Sequence, residues 1–270
     1  MSKEVKQKKK RRTLYELFFK RFFDFILSLI GLIVLSPLFL IVIILELCFH
    51  GWPPIYSHYR HGKNGKIFRI YKFRSMNNKK DENGNLLHDK YRVTKFGKFL
   101  RKTSIDELAQ LVNILKGDMS IVGPRPRQAK DAIFYDEDVL KSYNCRPGIT
   151  CISQLSGGRT DASWEDIFEK DRQYAENITF WGDVKILFKT VISIFKKDNG
   201  GSSEGAGEGN RDYYYPDYLL RTGKITQEQY DKGHALAKEL GDTKGKITYQ
   251  PDLHNKDIEI KVTTDDNAQQ

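Results

Sequence analysis

The sequence is poor in the residues that build disulfide scaffolds and metal centres. Its 270 residues hold three cysteines and six histidines. Cys48, Cys145 and Cys151 form no CxxC pair and are odd in number, which argues against a disulfide framework and for a reducing compartment. His58 and His61 are the closely spaced histidines, and no third ligand accompanies them, whereas structural zinc takes four. No helix-turn-helix, zinc-finger or RNA-binding signature appears, so nucleic acid is not an expected partner. There is no internal repeat. A small-residue cleavage site is also missing: the one long apolar run ends in Cys48 and Phe49, with His50 and Trp52 beyond, so it does not read as a secretory signal and is expected to persist.

What is present is a net charge of +10 and that single apolar run. The length suits one principal domain of about 150 to 200 residues with terminal additions. A basic balance suits nucleic acid or an anionic membrane, and the run from Phe22 to Phe49, interrupted only by Asp24 and Glu46, points to the membrane. As one helix it would be about 40 Å long. Basic residues crowd both flanks, with Lys6, Lys8, Lys9, Lys10, Arg11, Arg12, Lys20 and Arg21 before it. Arg60, Lys63, Lys66, Arg69, Lys72 and Arg74 follow. Such residues favour the cytosolic side, so both ends ask for the same side. A re-entrant hairpin bent at Ser36-Pro37 satisfies that demand; a proline-kinked spanning helix is the other reading, and the residues leave both open.

Further along, Lys66 to Met76 reads as a short strand. A polar loop with an Asn83-Gly84 turn follows. Val93 to Lys102 leads into a helix over Ile105 to Lys116, with Ile105, Leu108, Leu111, Val112 and Leu115 on one face and Gly117 at its end. Two prolines around Arg125 make residues 121–126 an extended turn. A helix over Ala129 to Ser142 precedes a turn at Arg146-Pro147-Gly148. Trp164 to Asn177 reads as helix. Phe180 to Phe195 suits either an interfacial helix with snorkelling Lys185 and Lys189 or a buried core helix. Residues 199–211 read as a flexible linker, residues 212–240 as a tyrosine-rich stretch with a helix capped by Thr226 and Gln229, and the remainder as a frayed tail.

Asp106 and Glu107 stand at the start of the helix at Ile105. Taken alone they read as first-turn acids, with Ser104 and Glu107 as a capping box. Arg101, Lys72, Arg74 and a stiffly held Arg125 shift the reading, because fixed guanidiniums suit bidentate binding of phosphate.

These residues resemble the bacterial sugar transferases, the monotopic polyprenyl-phosphate phosphoglycosyl transferases. The resemblance runs through KFRSM (72–76), RKTSIDELAQLVNILKGDMSIVGPRP (101–126), RPGIT (146–150) and the stretch from Trp164 to Lys197. It implies a re-entrant helix broken at Ser36-Pro37, an Asp106-Glu107 dyad and a magnesium ion held by that dyad. It also implies that Asp106 attacks the β-phosphorus of a UDP-sugar and that polyprenyl phosphate resolves the resulting ester. Lys72, Arg74, Arg101, Arg125, Gln154 and Arg159 are then the phosphate- and substrate-binding residues. Two departures from the family pattern stand out: Ala109 replaces a common proline, and Cys151-Ile152-Ser153-Gln154 replaces the usual Gly-Trp/Leu-Ala-Gln.

The expected protein is thus α+β, mainly helical with a small sheet, with an N-terminal re-entrant membrane helix hairpin and interfacial amphipathic helices. Its divisions are a basic cytosolic N-terminus (1–21), a membrane helix (22–49), a catalytic domain (50–198), a linker (199–211) and a C-terminal extension (212–270). The partners implied are UDP-sugar, polyprenyl phosphate and membrane lipids at the bacterial inner membrane, with homodimer formation open. A glycosyltransferase releasing UDP instead of UMP, and a basic membrane-tethered scaffold, are the alternatives.

Overall fold

A computed structural model describes residues 12–155, 163–196, 215–240, 245–247 and 262–264. The lysine-rich start, the linker at 199–211 and Arg159 lie outside the described residues.

A π-helical turn, Tyr15–Phe19, leads into helix α1 (Lys20–Val34), and α2 (Ser36–Phe49) follows at an angle of 63°. The break has a chemical cause. Pro37 has no N–H to give to the carbonyl of Ile33, and the Ser36 hydroxyl donates to that carbonyl instead, at 2.8 Å. Among the described residues no single helix is long and apolar enough to cross a membrane; the bent pair passes that test by length and composition.

Helix α1 is polar where it meets the protein and apolar where it faces outward. Lys20, Asp24 and Ser28, spaced four apart on one stripe, are buried, while Phe22, Phe23, Ile30 and Ile33 are exposed. Lys20 donates to Asp183 at 2.6 Å, and the hydroxyls of Tyr15 and Tyr174 donate to the same carboxylate at 2.7 and 2.8 Å. Asp24 accepts the Ile121 N–H at 3.0 Å. Arg21 donates to the carbonyls of Ile114 and Leu115. Lys20 and Arg21, which the sequence reading placed among the basic flank charges, are therefore docking residues.

Strand β1 (Ile55–His61), absent from the sequence reading, pairs antiparallel with β2 (Ile67–Phe73). Helix α3 (Lys95–Thr103) starts at Thr94, whose hydroxyl accepts the Gly97 N–H. The expected helix at 105–116 is split into a 3-10 turn, Ile105–Gln110, and α4 (Leu111–Lys116), which ends at Gly117 with φ 87° as expected. Its expected apolar face is half-buried: Ile105 and Leu111 pack on the core and Val112 is exposed. The buried positions include the polar Asp106, Gln110 and Asn113, since the tighter 3-10 turn shifts side chains out of the α-helical stripe.

Strands β3 (Ser120–Val122) and β4 (Gly148–Thr150) pair in parallel, so the expected turn at Arg146-Pro147-Gly148 feeds a strand. Gly123 and Gly148 permit the approach: a Cβ on Gly148 would stand 2.1 Å from the Gly123 nitrogen. The expected helix at 129–142 is broken into Ala129–Phe134, Glu137–Lys141 and Ser142–Asn144, since Tyr135 turns extended and Asp136 caps a new start through the Val139 N–H.

Helices α5 (Trp164–Glu176), with a Ser163/Asp166 capping box, and α6 (Phe180–Lys196) follow. Helix α6 is not enclosed in a core. Asp183 and Ile186 are buried, whereas Trp181 and Phe188 are 76% and 66% exposed. The extension adds α7 (Tyr215–Arg221) and α8 (Gln227–Leu240), whose Thr226/Gln229 box forms in both directions. A third pair, β5 (Gly245–Ile247) with β6 (Val262–Thr264), stands where a frayed tail was expected. Among the described residues the fold is mostly helical with three two-stranded sheets, where one small sheet was expected.

The extension is part of the main core. Tyr215, Leu219 and Ile225 are buried with Phe134, Tyr135, Tyr143 and Phe168. Truncating Leu219 to alanine should therefore cost about 2 to 4 kcal/mol, read as a lower denaturant midpoint; an unchanged midpoint would mean that the extension is not docked.

Candidate active site

Four elements bring the sequence-predicted residues together. Lys72 leaves β2 and donates to Glu107 Oε1 at 2.8 Å, and Arg125 Nη2 lies 3.5 Å from the same oxygen. Asp106 precedes Glu107 on the 3-10 turn and is 9% exposed. Arg101, in the last turn of α3, donates from Nε to Ser75 Oγ at 2.8 Å. The cleft in front of this group is lined by Arg60, Lys72, Glu107, Gln110, Arg125 and Ile149.

The dyad owes its direction to Ser104. This residue is left-handed, with φ 58°, and it closes α3 while turning the chain into the 3-10 segment. The expected capping box does not form, because an N-cap needs extended backbone; Glu107 bonds Ser104 through its N–H and the Ser104 carbonyl. The spacing between Lys72 and Glu107 is set by Asn113. Its side-chain amide donates to the Arg69 carbonyl at 2.7 Å and its oxygen accepts the Tyr71 N–H at 3.1 Å, like a strand partner to β2.

The Arg125 carbonyl accepts the Tyr143 hydroxyl at 3.2 Å, and the buried Asp171 lies close enough to the Arg125 peptide and to Ser153 for both to favour its carboxylate. Asp171, Asn113, Gln110 and Arg60 were not singled out from the sequence. A buried polar residue such as Asp171 in an otherwise amphipathic helix was the available signal, but its partner lies 46 positions away by number.

Arg74 does not join the cleft. It is buried, and its Nη1 donates to the carbonyls of His50, Gly51 and Pro53, tying the chain after α2 to the end of β2. Gln154 lies on the short helical turn Ile152–Leu155 behind β4, and its side chain falls outside the described residues, as does Arg159. Ala109 packs beside Val42, Phe73 and Leu100, so the site turn rests directly on α2.

Burial pushes the Asp106 carboxyl above its ordinary value; Lys72 opposes this most, Glu107 adds to it, and Arg101 and Arg125 oppose it. The helix dipole expected to favour the carboxylate is thus outweighed by desolvation. Burial likewise lowers the Lys72 pKa, against the pull of Glu107. Among the described residues no group of three or more His, Cys, Asp or Glu side chains could hold a metal. Two adjacent carboxylates still fit magnesium, which keeps waters and takes phosphate oxygens as further ligands.

A family model, that of the bacterial sugar transferases, matches residues 15–197. The chain belongs to the bacterial sugar transferase family. Among its relatives is the uncharacterized sugar transferase EpsL of Bacillus subtilis, 42% identical over 175 residues, covering 65% of this chain and 86% of that protein. The undecaprenyl-phosphate galactose phosphotransferase of Salmonella typhimurium is 40% identical over 67% of this chain and 41% of its own length. A UDP-glucose:undecaprenyl-phosphate glucose-1-phosphate transferase of Klebsiella pneumoniae is 38% identical over 66% and 40%. The chain thus spans less than half of these two named transferases. The family match makes the chain a sugar transferase and takes in every residue of the cleft; α7 and α8 lie beyond it.

A carboxylate that must ionise to act gives activity that rises with pH through its pKa. The acid limb of kcat/KM should therefore lie above the ordinary aspartate value of 3.8. It should move further up in Lys72→Met, which removes the strongest opposing charge. A limb unmoved by that substitution would place the titrating group elsewhere.

Proposed function

We propose that the chain transfers a sugar 1-phosphate from a UDP-sugar to polyprenyl (undecaprenyl) phosphate, with release of UMP. The reaction would begin glycoconjugate assembly at the cytosolic face of the bacterial inner membrane. The observation that carries this reading is a buried carboxylate, Asp106, among the charges of Lys72, Arg101 and Arg125 and next to Glu107, which lines a cleft with Lys72, Arg125 and Arg60. The names of the relatives support the acceptor.

The chemistry proceeds in two displacements at one phosphorus. An Asp106 oxygen attacks the β-phosphorus, and the bond from that phosphorus to the bridging oxygen breaks, so UMP leaves with the electron pair. A phosphate oxygen of the lipid then attacks the same phosphorus and frees the carboxylate, giving a polyprenyl diphosphate sugar. The two steps keep two mutually repelling polyanions apart in time. Lys72 and Arg125 stand against the equatorial oxygens, where charge gathers in phosphoryl transfer. Arg101, braced by Ser75, adds positive charge beside Asp106. Magnesium, held by Asp106 and Glu107, would supply further positive charge against the phosphates. Glu107, now paired with Lys72, would be the second carboxylate available to hold that ion.

The membrane reading rests on shape. The bent α1–α2 pair, the outer face of α6 and Phe99 of α3 expose large apolar side chains, and exposed lysines 185 and 189 flank that face of α6. We read α1 and α2 as a re-entrant hairpin that enters and leaves on one side. Its α2 arm packs on Ala109 and Phe73, which would deliver a lipid phosphate close to the site turn.

Purified protein with magnesium, polyprenyl phosphate and a panel of UDP-sugars should release UMP, and Asp106→Asn should lower the rate by at least about a thousandfold. Release of UDP would favour transfer of the bare sugar, and full turnover by Asp106→Asn would sink the nucleophile. For topology, cysteines placed at Lys10 and at the exposed Lys66 in a Cys48→Ser background should both resist impermeant labelling from outside intact cells. The other two native cysteines are buried and should stay silent. Labelling of one position only would mean a spanning helix.

A further inference from the structure

Arg60 lines the cleft with Lys72 and Arg125, yet nothing in the two displacements says what holds it there. In the β1–β2 ladder Tyr56 stands opposite Lys72, His58 opposite Ile70 and Arg60 opposite Phe68. Directly opposed residues share a face, and so do residues two apart on a strand, so Tyr56, His58, Arg60 and Lys72 rise from one side of the ladder. On that face the Arg60 Nε–H donates to Nε2 of His58. The Tyr56 ring covers the imidazole, with centroids 5.1 Å apart. His58 Nδ1 is buried and makes no hydrogen bond, so among the described residues the bond to Arg60 is the single hydrogen bond of this ring.

Three cations beside one cleft repel one another. Asp131 offers Arg60 another direction, being near enough for the arginine to favour its carboxylate. A bond at Nε opposes that pull and sets the plane of the guanidinium, which a contact at a terminal nitrogen would leave less determined. The acceptor has to be neutral, since an imidazolium has no lone pair to offer. Burial, with the charges of Arg60 and Lys72, holds the His58 pKa down to about 3, so the ring is neutral at physiological pH. A carboxylate at this position would hold Arg60 as well but would cancel the charge presented to an anion.

We propose that His58 is a positioning residue, whose neutral imidazole orients Arg60 toward a phosphate of the nucleotide donor lying between Lys72 and Arg125. This inference rests on the reading that a nucleoside diphosphate sugar occupies the cleft. It assigns β1 a share in donor binding, alongside the residues of the site turn and the Pro-Arg-Pro segment.

The test is calorimetric titration of UDP into full-length protein in detergent, so that binding is read without turnover. His58→Leu and Arg60→Lys should each weaken UDP binding by about tenfold, the size of one hydrogen bond to a charged group. His58→Gln, which keeps a neutral acceptor, should remain within about threefold of wild type. The double variant His58→Leu/Arg60→Lys should bind no worse than Arg60→Lys alone, because both act through one contact. In turnover the loss should fall on the donor KM more than on kcat. Wild-type affinity in His58→Leu, losses that add in the double variant, or a His58→Gln as weak as His58→Leu would each overturn the assignment. Should His58→Leu melt early, the Arg60→Lys and His58→Gln arms decide it. Wild-type protein that fails to bind UDP would instead overturn the donor reading, and with it this inference.

Discussion

Two adjacent carboxylates taken out of water must be matched by cations, and the fold around Asp106 and Glu107 is organised by that requirement. Lys72 comes from β2, Arg101 from α3 and Arg125 from the chain after β3, so three separate elements have to meet at a turn of six residues. Each is located by polar bonds. Ser75 braces Arg101, Asn113 clips α4 to the edge of β2, Tyr143 donates to the carbonyl of Arg125, and Gly123 and Gly148 let β3 and β4 close behind it. Desolvation still wins at Asp106, whose pKa is raised despite the surrounding cations. A carboxylate in that condition is a better nucleophile than one satisfied by water, at a cost in stability carried by the rest of the structure.

The same logic explains the unusual face of α1. Its buried stripe is polar, with Lys20 on Asp183, Asp24 on the Ile121 N–H and Arg21 on the end of α4, while its phenylalanines and isoleucines point away. In water such a helix would be inside out. Placed against lipid, as proposed, it would be correctly oriented, and its polar bonds would tie the membrane reading to the site: Asp24 anchors β3 through Ile121, and β3 leads to Arg125. On this account the proposed hairpin is a structural support of the cleft as well as an anchor.

Local chemistry was legible wherever one residue decides the backbone. Pro37 with Ser36, Gly117, the Asn83-Gly84 turn and the Thr226/Gln229 box all behave as their residue types require. The helix at 105–116 was placed correctly, and Ile105 and Leu111 of its apolar face pack on the core. The burial of Asp106, Gln110 and Asn113 was not legible, because a 3-10 turn and a left-handed Ser104 cannot be read from apolar periodicity. Lys72, Arg101 and Arg125 were legible as phosphate-binding candidates, but the roles of Asp106 and Glu107 came only from the family resemblance, since the meeting of these residues depends on long-range bonds. Arg74 shows the limit of that approach: a basic residue in a conserved-looking motif is spent on three carbonyls. Strand β1 was not legible because its alternation of tyrosine, histidine and arginine lacks an apolar face, so Arg60 read only as a flanking cation and His58 only as a histidine without further ligands.

The central claim is that Asp106 carries the phosphosugar between donor and lipid. Intact-mass measurement of the protein after incubation with magnesium and its UDP-sugar, without polyprenyl phosphate, tests this most directly. The account predicts an added mass of one sugar phosphate, mapped to Asp106, absent in Asp106→Asn and discharged when the lipid phosphate is added. An enzyme that turns over with the complete substrates, yet never shows that adduct under rapid quenching and transfers equally well as Asp106→Asn, would contradict it.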